Sequence, residues 1–271
     1  MQSRQEVSES DLLDFLEGQV MEWETGEMDG CLEIIETLAA KLEPWELPLP
    51  DIVYFVKCVR ESDEVRVFYT RQNAIFIPEQ FTGFPYSWFP VISEHLLNHE
   101  LFHIITRYNP SLRDDLYEIL GFHRCPGEIV LPEELIPRLI TNADSPRNEH
   151  YVCVDYQNQP IQVVPILYTT SDYTGGSTWN TFHGLVIEPS GANYVCRSEN
   201  GQPLILSADQ MENFYEQIGR NTDYIMQPEE ILAENFFLMI QEAEEVNTPR
   251  IIEEMAQLFT IGTAVQAWSL Y

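Results

Sequence analysis

The sequence has very few basic residues. Its 271 residues include 14 Lys+Arg against 44 Asp+Glu, a formal charge of −30, and the only lysines are Lys41 and Lys57. An acidic surface of this kind repels phosphate backbones and anionic lipid headgroups, so we expect neither nucleic acid nor a membrane as a partner. The charge favours solubility, and it would also suit a basic partner.

The chain also lacks a long apolar run and a regular cysteine pattern. No stretch of about 18 apolar residues occurs, so no membrane-spanning helix is predicted, and the first 15 residues hold no signal-peptide core. The five cysteines are odd in number, scattered and never spaced as CxxC. This favours thiols in a reducing compartment over disulfides. We therefore expect a cytoplasmic protein, although an effector delivered by a dedicated secretion system would share these features.

The residues that are present suit a packed α+β fold. Hydrophobic residues make up 44% and aromatic residues 12% of the chain, which is ample material for a core. Apolar periodicity predicts helices at 8–43, 91–109, 112–122, 208–218, 228–243 and 249–258. Runs rich in Val, Ile, Tyr and Phe predict strands at 52–59, 65–69, 74–77, 151–156, 161–168, 181–187, 194–197 and 204–206. Residues 124–149 are predicted to be irregular, and Asn200-Gly201 suits a tight hairpin.

Residues His99-Glu100-Leu101-Phe102-His103 form an HExxH motif. On a helix, histidines four residues apart lie on one face, close enough to hold one metal ion. The glutamate beside them can accept a proton from a metal-bound water. Between residues 96 and 105 no other charge and no proline occurs, and polar side chains in so apolar a helix are costly to bury unless they bind something. His99 and His103 are therefore predicted zinc ligands, and Glu100 is the predicted general base.

A third ligand is expected from another part of the chain. His95 lies one turn before His99, but three ligands on one straight helix make a poor tetrahedron. We therefore interpret His95 as a neighbour of the site.

The HExxH stretch resembles the active-site helix of the zincin metallopeptidases. The longer zincin motif HExxHxxGxxH is absent, because Thr106 and Asn109 stand where its glycine and third histidine would be. The resemblance is therefore to the gluzincins, whose third zinc ligand is a glutamate on a later helix. In that group an acidic residue four positions after the ligand hydrogen-bonds a ligand histidine.

Residues 227–236, QPEEILAENF, match this second pattern best. Glu230 and Glu234 share one face of a helix that is apolar almost all round, and buried carboxylates need cations or hydrogen-bond donors. The resemblance implies Glu230 as the third ligand and Glu234 as the partner of a ligand histidine, with Glu229 and Glu234 as competing ligands. Residues 221–236 also resemble a family of uncharacterised bacterial HExxH proteins, which indicates no substrate.

A zincin site also needs a donor for the oxyanion of the tetrahedral intermediate. Tyrosine or histidine serves this role in gluzincins, so Tyr224, just before the Glu230 helix, is the first candidate. His150 and His183 are the alternatives. Residues 74–77 are a candidate edge strand for pairing with an extended substrate.

These features together predict a zinc metallopeptidase, a hydrolase with Zn²⁺ as its cofactor and a peptide or protein as its substrate, and the acidic charge favours a basic one. The expected architecture is a single zincin-like α+β domain over 1–271. Its parts are a helical region (1–50), strands with the HExxH helix (51–122), an irregular and β-rich insertion (123–207) and a helical part with the third ligand (208–271). Two alternatives stay open: a non-catalytic, zinc-stabilised interaction protein with an acidic surface, and a zinc hydrolase of a non-peptide bond.

Overall fold

The fold combines helices with two main β-sheets, which confirms the α+β prediction. The structure, a computed structural model, describes residues 8–59, 68–82, 90–142, 144–169 and 182–260, with backbone alone at residue 12 and at residues 90–93. The helices are α1 (Glu9–Glu17), α2 (Thr25–Leu42), α3 (Pro90–Tyr108), α4 (Pro110–Ile119), α5 (Phe214–Ile218), α6 (Pro228–Ile240) and α7 (Pro249–Thr260). Of the described residues, no helix is both long and apolar enough to cross a membrane.

Most of the predicted strands are present, but two short strands at 129–130 and 139–140 lie in the stretch 124–149 that was predicted to be irregular. They are β1 (Tyr54–Cys58), β2 (Tyr69–Arg71), β3 (Ala74–Pro78), β4 (Phe122–Arg124), β5 (Ile129–Val130), β6 (Leu139–Ile140), β7 (His150–Tyr156), β8 (Gln159–Tyr168), β9 (His183–Ser190), β10 (Asn193–Cys196), β11 (Ser198–Glu199), β12 (Gln202–Pro203) and β13 (Ile205–Ser207). Most of the predicted 65–69 strand and the start of the 181–187 strand lie outside the described residues.

Helix ends follow the local sequence. Ser8 caps α1 and forms a reciprocal capping box with Asp11. Pro110 is the first residue of α4, and it disfavours helical backbone at the preceding residue, so α3 ends at Tyr108. The predicted helix 208–218 is wrong in its first half, because Ala208–Gln210 forms a 3₁₀ turn and α-helix begins only at Phe214.

The smaller sheet has the order β1-β3-β2, with β3 parallel to β1 and antiparallel to β2. The prediction that residues 74–77 form an edge strand is therefore wrong, because β3 pairs on both sides. Residues 19–21 cover the outer side of β1, where the Met21 N–H donates to the Lys57 carbonyl at 2.9 Å. Among the described residues β3 is the one strand that pairs with β2, and β2 also packs against α3, so its outer edge lies beside the HExxH helix.

The larger sheet has the order β4-β7-β8-β9-β10-β5, with β13 added to β9 and β6 to β8. A tight turn joins β7 and β8, and Gln157 and Asn158 in this turn both have positive φ. Asn200 and Gly201 also have positive φ and join the small β11–β12 hairpin, as predicted.

One apolar core links the helices to this sheet. It contains the fully buried rings of Phe102 in α3, Phe122 in β4 and Phe236 in α6. The rings of Phe102 and Phe236 lie 5.5 Å apart between centroids. Because α3 and α6 pack directly against each other, two stretches far apart in the sequence present their polar residues to one place.

Candidate metal centre

Helices α3 and α6 bring the three predicted metal ligands together. His99 Nε2 lies 3.0 Å from Glu230 Oε2, and His103 Nε2 lies 3.8 Å from the same oxygen. All three residues offer a ligand atom within 4.8 Å of the others. The side chains of His103 and Glu230 are almost fully buried, whereas that of His99 is 12% exposed. The three form a compact donor set of two imidazoles and one carboxylate.

The other nitrogen of each histidine contacts a second carboxylate. His99 Nδ1 lies 3.0 Å from Glu234 Oε1, and His103 Nδ1 lies 3.0 Å from Glu229 Oε1. A carboxylate at Nδ1 holds the ring proton there and leaves the lone pair of Nε2 directed at a metal. The contact predicted for Glu234 is therefore present, and Glu229 makes the matching contact with the second histidine.

The hydrogen-bond partners of Glu229 and Glu234, the two competing ligands, differ from those of Glu230. Glu229 Oε1 also accepts from the Thr106 hydroxyl at 2.6 Å, and its Oε2 accepts from the Tyr117 phenol at 2.6 Å. Glu234 Oε1 contacts His95 Nε2 at 2.9 Å as well as His99 Nδ1. Of the three carboxylates, Glu230 is the one that faces Nε2 of both histidines.

His95 lies beside the donor set of His99, His103 and Glu230, and with His99 and Glu234 it forms a second group that could hold a metal ion. Its ring packs on Phe237 at 4.6 Å between centroids and its Nε2 contacts Glu234. It thus supports the carboxylate that orients His99.

The free oxygen of Glu230 is held by Asn142. Asn142 Nδ2 donates to Glu230 Oε1 at 2.5 Å and to Gln227 Oε1 at 2.9 Å. One oxygen of Glu230 is therefore fixed by an amide while the other faces the two histidines.

Glu100 stands beside this cluster in a buried position. It is 3% exposed, and its Oε2 has no hydrogen-bond partner among the described residues. Burial raises the pKa of Glu100 to about 8, and the nearby Asp144 carboxylate adds to the rise. A buried carboxylate oxygen without a protein partner is able to accept a hydrogen bond or a proton from a water or a substrate.

The charges of the cluster favour a cation at the ε-nitrogens. Burial lowers the pKa of His99, but its hydrogen bonds to Glu230 and Glu234 outweigh this effect, and its pKa is well above the usual value. Burial likewise opposes the charge on His103, yet the carboxylates of Asp144 and Glu230 raise its pKa to about 9. Burial raises the pKa of Glu230, but the positive charge of His103 and the hydrogen bond from His99 lower it to about 2. A metal ion can replace the protons that these histidines otherwise hold.

Tyr224 is the oxyanion candidate nearest the histidines. Its ring lies 6.2 Å from that of His99 between centroids. Burial and the carboxylates of Glu230 and Glu100 raise the pKa of Tyr224 strongly, so the phenol keeps its proton and can donate it to a hydrogen bond. The alternatives have other partners: His150 contacts Asp114 at 2.8 Å, and the ring of His183 packs on Tyr168.

Several residues around the site were missed from the sequence. Asn142 and Asp144 lie in the stretch predicted to be irregular, where no pattern indicates their contacts. Thr106 and Arg107 follow His103 by three and four residues on α3, so helical spacing places them on the ligand side of the helix. The sequence alone therefore indicates that these two residues lie near the ligands.

No family model, curated protein or solved structure matches this chain. The function is therefore inferred from the residues and contacts of this site.

Proposed function

We propose that this chain is a zinc-dependent metallopeptidase with a gluzincin-like site, in which His99, His103 and Glu230 hold the metal. The observation that supports the proposal is the meeting of both histidine ε-nitrogens at one oxygen of Glu230, with the buried Glu100 beside them.

The residues present suit a catalytic zinc ion. Two imidazoles and one carboxylate are a frequent ligand set of catalytic zinc, which keeps a fourth position for water or substrate. Carboxylates on both δ-nitrogens fix the ring orientations. The unpartnered oxygen of Glu100 supplies a base, which a purely structural zinc site has no need of.

Bound zinc would lower the pKa of water and polarise the substrate carbonyl. The positive charge of the metal would also favour the ionised form of Glu100, which accepts a proton from the attacking water and passes it to the nitrogen of the leaving amine. Tyr224 donates a hydrogen bond to the carbonyl oxygen as that oxygen gains negative charge. The substrate is a peptide or protein, and the charge of −30 favours association with basic ones.

A peptide-library digest tests this function. We expect the zinc-loaded protein to cleave library peptides, the chelated protein to cleave none, and one equivalent of zinc to restore cleavage. Mass spectrometry of the products gives the bond that is cut. Cleavage that survives complete metal removal, or a fully loaded protein that cleaves nothing, would contradict the proposal.

A further inference from the structure

Three hydrogen-bond donors converge on one oxygen of Asp144 next to the candidate metal centre. The Thr70 N–H donates to Asp144 Oδ1 at 3.1 Å, and the Thr70 hydroxyl donates to the same oxygen. Arg107 Nη2 lies 3.4 Å from that oxygen and donates to Thr70 Oγ1 at 2.8 Å. An amide, a hydroxyl and a guanidinium that meet at one point form a set suited to a carboxylate.

The position of these donors relates them to the chemistry. Thr70 is in β2, the edge strand beside α3, and its amide donates to a side chain there. Such an edge amide is the group that an extended peptide commonly uses. Arg107 lies one helical turn after His103, so α3 fixes it relative to the ligands. Asp144, Glu100 and His103 offer oxygen and nitrogen atoms that all lie within 4.8 Å of one another.

We propose that Thr70 and Arg107 form a substrate carboxylate subsite, which the side chain of Asp144 fills in this structure. This inference rests on the proposed peptidase function and names its substrate class. A substrate carboxylate displaces that of Asp144 and accepts hydrogen bonds from the same three donors.

The distances place this subsite next to the bond that is cut. Consecutive Cα atoms are about 3.8 Å apart, and the Asp144 carboxylate lies within 4.8 Å of Glu100, the proposed base. A carboxylate bound there belongs to the residue that directly follows the scissile bond. It comes either from the C-terminus of the peptide, which makes the enzyme a carboxypeptidase, or from an acidic side chain of that residue.

Removal of the Asp144 side chain tests the binding step without any hydrolysis. We expect sodium acetate to raise the melting temperature of zinc-loaded Asp144→Ala saturably, by about 2 °C or more relative to sodium chloride of equal ionic strength. Wild type, in which Asp144 fills the subsite, should show no such rise. The double variant Asp144→Ala/Arg107→Met should show none either.

Asp155→Ala is the matched control, because it removes an aspartate that is hydrogen-bonded by Asn213. If acetate raises all four melting temperatures equally, or none of them, the carboxylate subsite is ruled out. Should Asp144→Ala fail to fold, Asp144→Ser also withdraws the carboxylate from the three donors, and its acetate response decides in the same way.

Matched peptides identify the source of the carboxylate. The first pair has free or amidated C-termini, and the second has Glu or Gln directly after the scissile bond. We expect Asp144→Ala to cleave the carboxylate member of one pair at least about tenfold faster than its neutral partner, and Asp144→Ala/Arg107→Met to lose that preference.

Equal cleavage of both members of both pairs would overturn the substrate role. Acetate binding by Asp144→Ala without cleavage of any peptide would remove the peptidase proposal and leave the subsite standing. The carboxylate subsite and the peptidase function can therefore be contradicted independently of each other.

Discussion

Glu100→Gln is expected to lower kcat for peptide hydrolysis by about 10²–10⁴-fold while the zinc content stays at that of the wild type. The amide has nearly the same shape as the carboxylate but cannot accept a proton from the attacking water. Glu100 is not among the three residues that meet at the ε-nitrogens, so the metal should remain. Steady-state kinetics on a cleaved library peptide, together with elemental analysis of the same sample, measure both quantities.

Glu118→Gln is the matched control for this change. Glu118 is in α4 with a side chain that is 63% exposed, and it lies 3.7 Å from His123. The same chemical change at this place should leave both kcat and zinc content as in the wild type. Full activity in Glu100→Gln would rule out Glu100 as the general base.

His103→Ala is expected to abolish high-affinity zinc binding and to lower the free energy of unfolding of the metal-free protein by about 3–5 kcal/mol. The His103 side chain is 1% exposed and lies between the buried carboxylates of Glu229 and Glu230. Because these carboxylates raise its proton affinity, the protonated ring is the cation that offsets their charge. Its removal leaves two buried carboxylates with too few partners, together with a cavity. Urea denaturation with chelator present measures the change.

The response to zinc separates ligand loss from general damage. Zinc should raise the denaturation midpoint of the wild type, because it binds the folded state, and should leave that of His103→Ala unchanged. His123→Ala removes a histidine that is 49% exposed, and it should change stability by no more than about 0.5 kcal/mol. A His103→Ala protein that zinc still stabilises like the wild type would contradict the ligand assignment.

Local patterns predicted the parts of the site that lie within single helices. Apolar spacing and Pro110 define the HExxH helix, and the turn between His99 and His103 places both on one face. The second helix could be located because Glu230 and Glu234 share a face in an otherwise apolar stretch. Both signals act over a few residues, so the sequence alone suffices to read them.

Contacts between distant segments could not be predicted in this way. The sequence of β3 predicts an edge strand, because it does not show that β1 and β2 pair on either side of it. Asn142 reaches Glu230, and Asp144 reaches Thr70, across 88 and 74 residues of chain. Those contacts depend on how the sheets and helices pack, and no local periodicity encodes that packing.

The choice of the third metal ligand among three neighbouring glutamates depends both on the local sequence and on how distant segments pack. The sequence left Glu229, Glu230 and Glu234 as competitors because all three lie on one helix. Their different partners follow from the position of α3 against α6, which directs Glu230 at both ε-nitrogens and the other two at δ-nitrogens.

The zinc content of wild type and Glu230→Ala, purified side by side and dialysed against a weak chelator, tests the central claim most directly. We expect about one zinc per chain in the wild type and far less than one in Glu230→Ala, because the carboxylate that faces both ε-nitrogens is gone. Equal zinc in the two proteins, or no zinc in the wild type, would contradict a metal centre built from His99, His103 and Glu230.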